Sequence, residues 1–141
     1  GFAKLWRRRT VLELPDKTIC NLMSLPDLVQ AKKTQRDKDW PMLRRLVEAH
    51  YFQHHDRPNA AQKKFWLREL RTPELLVEVA QANPALCRRL LPGRRLLAHA
   101  AGGKITPLER ALLAEETRER QRDKQYWRPL LKELEKLRHN R

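Results

Sequence analysis

Lys32, Lys33, Arg36, Asp37, Lys38 and Asp39 crowd into eight positions and form the most chemically pointed stretch of the chain. Ammonium and guanidinium groups held close together donate charge-assisted hydrogen bonds to phosphate oxygens. In that reading Asp39 braces the corner by pairing with Arg36. The same residues also suit a salt-bridged turn that only orients its neighbours, and their types do not choose between the two. A second basic run, Arg7, Arg8 and Arg9, stands beside Phe2 and Trp6. It has the composition to grip phosphates and stack on a base. It equally suits a strand edge with Trp6 turned inward and the arginines solvated. The candidate phosphate- or nucleic-acid-binding residues are therefore Lys32, Lys33, Arg36, Lys38, Arg7, Arg8 and Arg9, with Asp39 as a structural brace. His50 and His54 share a helical face near His55 and Asp56, but no further ligand lies at a metal-site spacing. No metal ligand and no catalytic residue is assigned, and no serine or cysteine is placed for nucleophilic attack.

These side chains need elements to hold them. Ser24 is a cap for a short helix, with Asp27 favouring its positive end. Leu25, Leu28, Val29 and Lys32 share one face of it. Asp39 is the expected cap of a second helix, in which Pro41 is tolerated in the first turn. Leu43, Leu46, Val47 and His50 form its inner face. Upstream, Thr10–Leu14 and Thr18–Met23 alternate as strands around a Pro15-Asp16-Lys17 turn. Two strands alone are marginal, so the hairpin calls for a larger sheet or a helical layer.

The run ICNLMS followed by LPDLVQAKKTQRDKD resembles the latter part of a minimal nucleotidyltransferase domain. In that superfamily a strand bearing the third catalytic carboxylate leads into a helix reading L-x-x-L-x-x-x-K, then R-x-K-D. Leu25, Leu28, Lys32, Arg36, Lys38 and Asp39 occupy those positions, and the resemblance covers roughly residues 5–50. It implies that the hairpin is a remnant of that sheet and that Lys32, Arg36 and Lys38 face a triphosphate or a nucleic-acid backbone. The chain departs from the pattern where the chemistry is made. It has no Gly-Ser turn, and its only Asp-x-Asp is Asp37-Lys38-Asp39 within the corner. Asn21 is the nearest polar residue to the third carboxylate position, and an amide cannot supply the charge that two-metal transfer needs. The resemblance thus implies no nucleotide transfer and no cofactor for this chain alone. Magnesium enters only if an upstream half supplies the missing carboxylates.

Composition bounds the rest. The chain has 141 residues, a net charge of +14 and a pI near 10.6, which predicts attraction to polyanions, with nucleic acid favoured over an acidic partner. Glycine is scarce and helix formers dominate. Cys20 and Cys87 stand apart in apolar settings, as free thiols of a reducing compartment do. With no apolar run of membrane length and no signal core, a cytoplasmic chain with no membrane partner is expected. It opens at Gly1, without methionine and close to a strand, which reads as a fragment of a longer protein.

From Arg57 onward, prolines follow cap residues at Thr72-Pro73, Asn83-Pro84 and Thr106-Pro107, delimiting helices of roughly 58–70, 73–82, 84–91 and 94–101. Gly102-Gly103 is a hinge, and Thr106-Pro107-Leu108-Glu109 is a capping box. The helix it launches is polar from Ala114 to Tyr126, with Glu115, Glu119 and Asp123 at four-residue spacing beside Arg118 and Arg122. Tyr126, Leu130, Leu134 and Leu137 restore an apolar face, and Pro129 is expected to kink it. The expected fold is mainly α: a short N-terminal β-hairpin, a helical bundle and a long C-terminal helix. Its parts are residues 1–56, 57–103 and a projecting charged arm, 104–141. Two functions follow. One is a nucleotidyltransferase-derived, non-catalytic module binding nucleic-acid or nucleotide phosphates, within a larger enzyme or complex. The other is an assembly subunit, antitoxin- or adaptor-like, that binds a protein partner or a second copy through residues 106–141.

Overall fold

A computed structural model describes residues 1–139 and divides the chain into two compact units, Gly1–Lys32 and the segment from Lys33 onward. The fold is mainly α, with an antiparallel two-stranded hairpin near the start and a long helix at the end.

The first unit opens with α1 (Phe2–Arg7), where the sequence suggests a strand edge. The difference has a local cause. Phe2 and Trp6 lie four apart, so one helical turn stacks their rings with centroids 5.8 Å apart. Arg9 then folds back, its guanidinium 4.3 Å from the Trp6 ring and donating to the Trp6 carbonyl at 2.9 Å. Strands β1 (Thr10–Glu13) and β2 (Ile19–Leu22) pair Thr10 with Leu22 and Glu13 with Ile19. Their turn puts Lys17 in the left-handed region at φ 69°. Asp16 accepts the Thr18 amide at 3.0 Å, and that hydrogen bond holds its carboxyl below the usual range. Helix α2 (Leu25–Ala31) is capped by Ser24 as expected.

The second unit contains α3 (Asp39–His54), α4 (Ala60–Glu69), α5 (Pro73–Ala82), α6 (Pro84–Leu90), α7 (Leu97–Ala101) and α8 (Ile105–His139). Its core is built from Leu43, Val47, Trp66, Leu67, Leu70, Leu76, Leu97 and Leu108, none more than 2% exposed. α5 sits at the centre, against α4, α6, α7 and α8. Several expected caps do other work. Asp39 lies inside the first turn of α3 and accepts the Thr34 hydroxyl at 2.6 Å. Thr72 donates to Glu48, and Asn83 to the Val79 carbonyl. α8 begins before Thr106, because the Leu108 amide already bonds the Lys104 carbonyl at 3.0 Å. The capping box that does form is Asn59 with Gln62, at the start of α4. α8 runs through Pro129 as one helix. No helix among the described residues is long and apolar enough to cross a membrane.

Candidate functional site

The charged stretch of α8 is explained by what it faces. Glu115, Glu119 and Asp123 repeat every fourth residue and so line one side of the helix. Left alone they would repel one another; here each meets a donor from elsewhere. Arg94 sends Nη2 at 2.9 Å and Nε at 3.1 Å to the Glu115 carboxylate. Arg71 reaches Glu119 at 2.6 Å and Glu115 at 3.4 Å. Lys33 lies 2.7 Å from Glu69 and 3.4 Å from Glu119. Asp123 accepts the Gln35 amide at 2.9 Å. Arg94 also donates to the Leu67 and Leu70 carbonyls, both at 2.9 Å. It thereby caps the C-terminal end of α4, where backbone carbonyls lack helical partners and a cation is favoured. Burial alone would push the Glu115 carboxyl up. The Arg94 hydrogen bond and the charges of Arg94, Arg71 and Lys33 outweigh it and hold Glu115 below the usual range.

Beside this network the Arg71 guanidinium stacks 4.6 Å over the Trp40 ring. Arg120 pairs with Asp37, and with Glu116 at 2.7 Å. The proximal part of the expected arm, Ile105–Asp123, is thus docked: Leu108 and Leu112 are buried and the acidic stripe is satisfied. Beyond Asp123 the character changes, and Tyr126, Trp127, Leu130, Leu131, Leu134 and Leu137 all stand exposed.

The opposite sense of charge gathers next to the network. Two adjoining grooves of about 560 and about 430 Å³ share Gly93, Arg94, Glu115 and Glu119 in their walls. Arg95, Arg118, Arg122 and His99 line the first, and Arg68 and Arg89 the second. All five of these arginines are exposed. Because the shared carboxylates are already engaged by Arg94, Arg71 and Lys33, the positive charge of these five side chains is left uncompensated at the rim. None of them was marked by the sequence reading. The signal was present in the Arg118–Arg122 repeat, one turn apart on the face of α8 next to the acidic stripe.

The residues that the sequence does mark fall in different settings. Lys33 belongs to the buried network, so its ammonium is already satisfied. Arg36 and Lys38 are exposed in the loop that leads into α3. Lys32 ends the first unit, half-buried, closing α2 with its amide on the Leu28 carbonyl. Arg8 forms a two-pronged pair with Asp27 at 2.6 and 2.9 Å, which raises the guanidinium and, helped by Ser24, lowers the carboxyl. Arg9 donates to Asn21 at 2.7 Å, and Arg7 is exposed. The Asn21 side chain is therefore held by an arginine.

Chemistry of another kind is tied down as well. Trp66 can only donate, so its indole N–H at 2.9 Å fixes His50 Nδ1 as the acceptor and leaves that ring neutral. Burial, and then the neighbouring His54, push the His50 pKa down. His54 Nδ1 donates to the His50 carbonyl at 2.9 Å. Among the described residues no group of three or more His, Cys, Asp or Glu is arranged to hold a metal ion. Cys20 and Cys87 are free thiols, and burial pushes Cys87 up.

Family models, curated proteins and solved structures give no match to this chain. The functional reading therefore rests on the side chains alone.

Proposed function

We propose that this chain is a non-catalytic module that binds the phosphate backbone of nucleic acid, with the arginine-lined grooves of the second unit as its main contact. One observation carries this reading: Arg68, Arg89, Arg95, Arg118 and Arg122 surround a concave surface whose carboxylates are already paired. Arginine presents a planar fork of donors to phosphate, and grouped forks neutralise several phosphates together. Arg36 and Lys38, exposed in the loop before α3, are further cations open to phosphate. With Lys32 they carry the proposed nucleotidyltransferase-like origin, in which a larger protein would bring the paired aspartates and magnesium.

The test is a titration with RNA, duplex DNA and nucleoside triphosphate at two salt concentrations. It compares the parent chain with Arg95→Ala/Arg118→Ala/Arg122→Ala and with Lys32→Ala/Arg36→Ala/Lys38→Ala. The groove variant should lose most of the affinity for nucleic acid. Its plot of log K against log salt should flatten by about 0.9 for each phosphate contact removed from a duplex. Full affinity in the groove variant would sink the assignment, and a loss confined to the other variant would move the site to the corner.

A second reading, assembly through the distal part of α8, is favoured by the exposed apolar side chains between Tyr126 and Leu137. Six large apolar residues along little more than three turns of a helix are unusual on a surface that meets only water.

A further inference from the structure

The spacing of the distal α8 side chains is narrower than that of an ordinary amphipathic helix. Trp127, Leu130, Leu134 and Leu137 recur at intervals of three, four and three, which is the seam of a two-stranded coiled coil with Trp127 and Leu134 at a, Leu130 and Leu137 at d. All four are between 42% and 65% exposed. The register then fixes the flanks. Tyr126 and Glu133 fall at g, Leu131 and Arg138 at e, and Pro129 at c, away from the seam, where its missing N–H costs the contact nothing.

From this register we infer that a second copy of this chain packs on the segment in parallel, seam to seam. The inference rests on reading distal α8 as an assembly surface and adds the occupant, its direction and its register. Direction follows from the flanks. In a parallel pair each g residue meets the e residue five positions on in the other helix. Glu133 then faces the second copy's Arg138, twice by symmetry, and Tyr126 faces the second copy's Leu131. Charge meets charge and apolar meets apolar at every flanking pair. In an antiparallel pair g meets g and e meets e. With Trp127 set against Leu137, Glu133 would face another Glu133 and Leu131 another Leu131. The apolar match is kept, but the charge match becomes a repulsion and Arg138 loses its partner across the seam. The segment is also available to a second copy: beyond Asp123, which holds the Gln35 amide and the Trp127 indole N–H, all four seam side chains stand exposed. With only two heptads the dimer is a weak one, forming as concentration rises.

Sedimentation equilibrium on the whole chain reads the association. Leu130→Asp/Leu134→Asp should raise the dimer dissociation constant by about tenfold or more, while thermal unfolding stays as in the parent because both side chains are exposed. Direction is read by cross-linking in a Cys20→Ser background, with buried Cys87 left in place. Leu137→Cys should give a disulfide-linked dimer on mild oxidation, since a parallel register sets the two d positions face to face. A dimer in which Leu137→Cys does not cross-link, but a mixture of Leu137→Cys and Trp127→Cys chains does, would overturn the parallel register and leave the assembly reading standing. A chain that stays monomeric at every concentration would overturn both. Dimerisation unaffected by the two aspartates would place the interface elsewhere.

Discussion

Arg94 donates to two backbone carbonyls and to both oxygens of Glu115 from a position only 7% exposed, so its removal strands several acceptors in one place. Breaking a buried pair by deleting one partner typically costs about 3–5 kcal/mol, and Arg94→Ala should fall in that range in urea unfolding. Arg94→Met/Glu115→Leu should cost less than Arg94→Ala, because it deletes the stranded carboxylate along with its partner. The same unit carries three groups whose folded pKa lies below the unfolded one, His50, Glu48 and Glu115. Each contributes stability above its unfolded pKa and loses it as pH falls. The loss starts near 6.5 for His50 and near 4.5 for Glu48 and Glu115. Protonated His50 must also give up the Trp66 indole hydrogen bond, since its Nδ1 can no longer accept. Urea midpoints taken from pH 8 to pH 4 should therefore decline in two steps. His50→Gln, which cannot take up a proton in this range, should flatten the upper step and leave the lower one.

At the level of elements, the two candidate capping boxes give opposite expectations. Asn59 and Gln62 exchange both reciprocal bonds at the start of α4, so Asn59→Ala should cost about 1 kcal/mol. Thr106 lies inside the first turn of α8, so Thr106→Ala should stay within about 0.5 kcal/mol of the parent in the same urea experiment. The pairing of Pro with a preceding cap residue located α5 and α6 correctly, because proline at the first helical position is a backbone constraint and acts locally. Hairpin strands and the Ser24 cap were legible for the same reason. α1 was misread because six residues are too few for periodicity to separate helix from strand, and a single aromatic pair four apart decided it. The ion network was not legible in detail: its pairs join residues 21, 48 and 86 positions apart, and nothing local announces such partners. One clue did exist. An acidic stripe at four-residue spacing is unfavourable on an isolated helix, so Glu115, Glu119 and Asp123 implied cations on another element. Arg118 and Arg122, left out of that compensation, implied the basic face beside it.

For the molecule as a whole, the +14 charge and the two faces of α8 raise the question of whether polyanion binding and assembly are one property or two. Residues up to Asp123 tie α8 to the rest of its unit: Leu108 and Leu112 in the core, Glu115 and Glu119 on the arginines and Lys33, and Asp123 on Gln35. Residues beyond it carry the apolar seam and several lysines and arginines, but none that lines the grooves. A chain ending at Asp123 should therefore unfold at the temperature of the parent and sediment as a monomer at all concentrations. It should still bind nucleic acid, with affinity lowered modestly and evenly across sequences by the lost tail charge. If assembly and binding instead disappear together, the grooves act only when two copies bring their arginines to one backbone. A parallel pair of α8 helices would produce that arrangement, because it places both sets of Arg118 and Arg122 at the same end of the seam. The discriminating quantity is the salt slope. It stays nearly constant on truncation if each chain binds alone, and falls by about half if the contact is made by a pair.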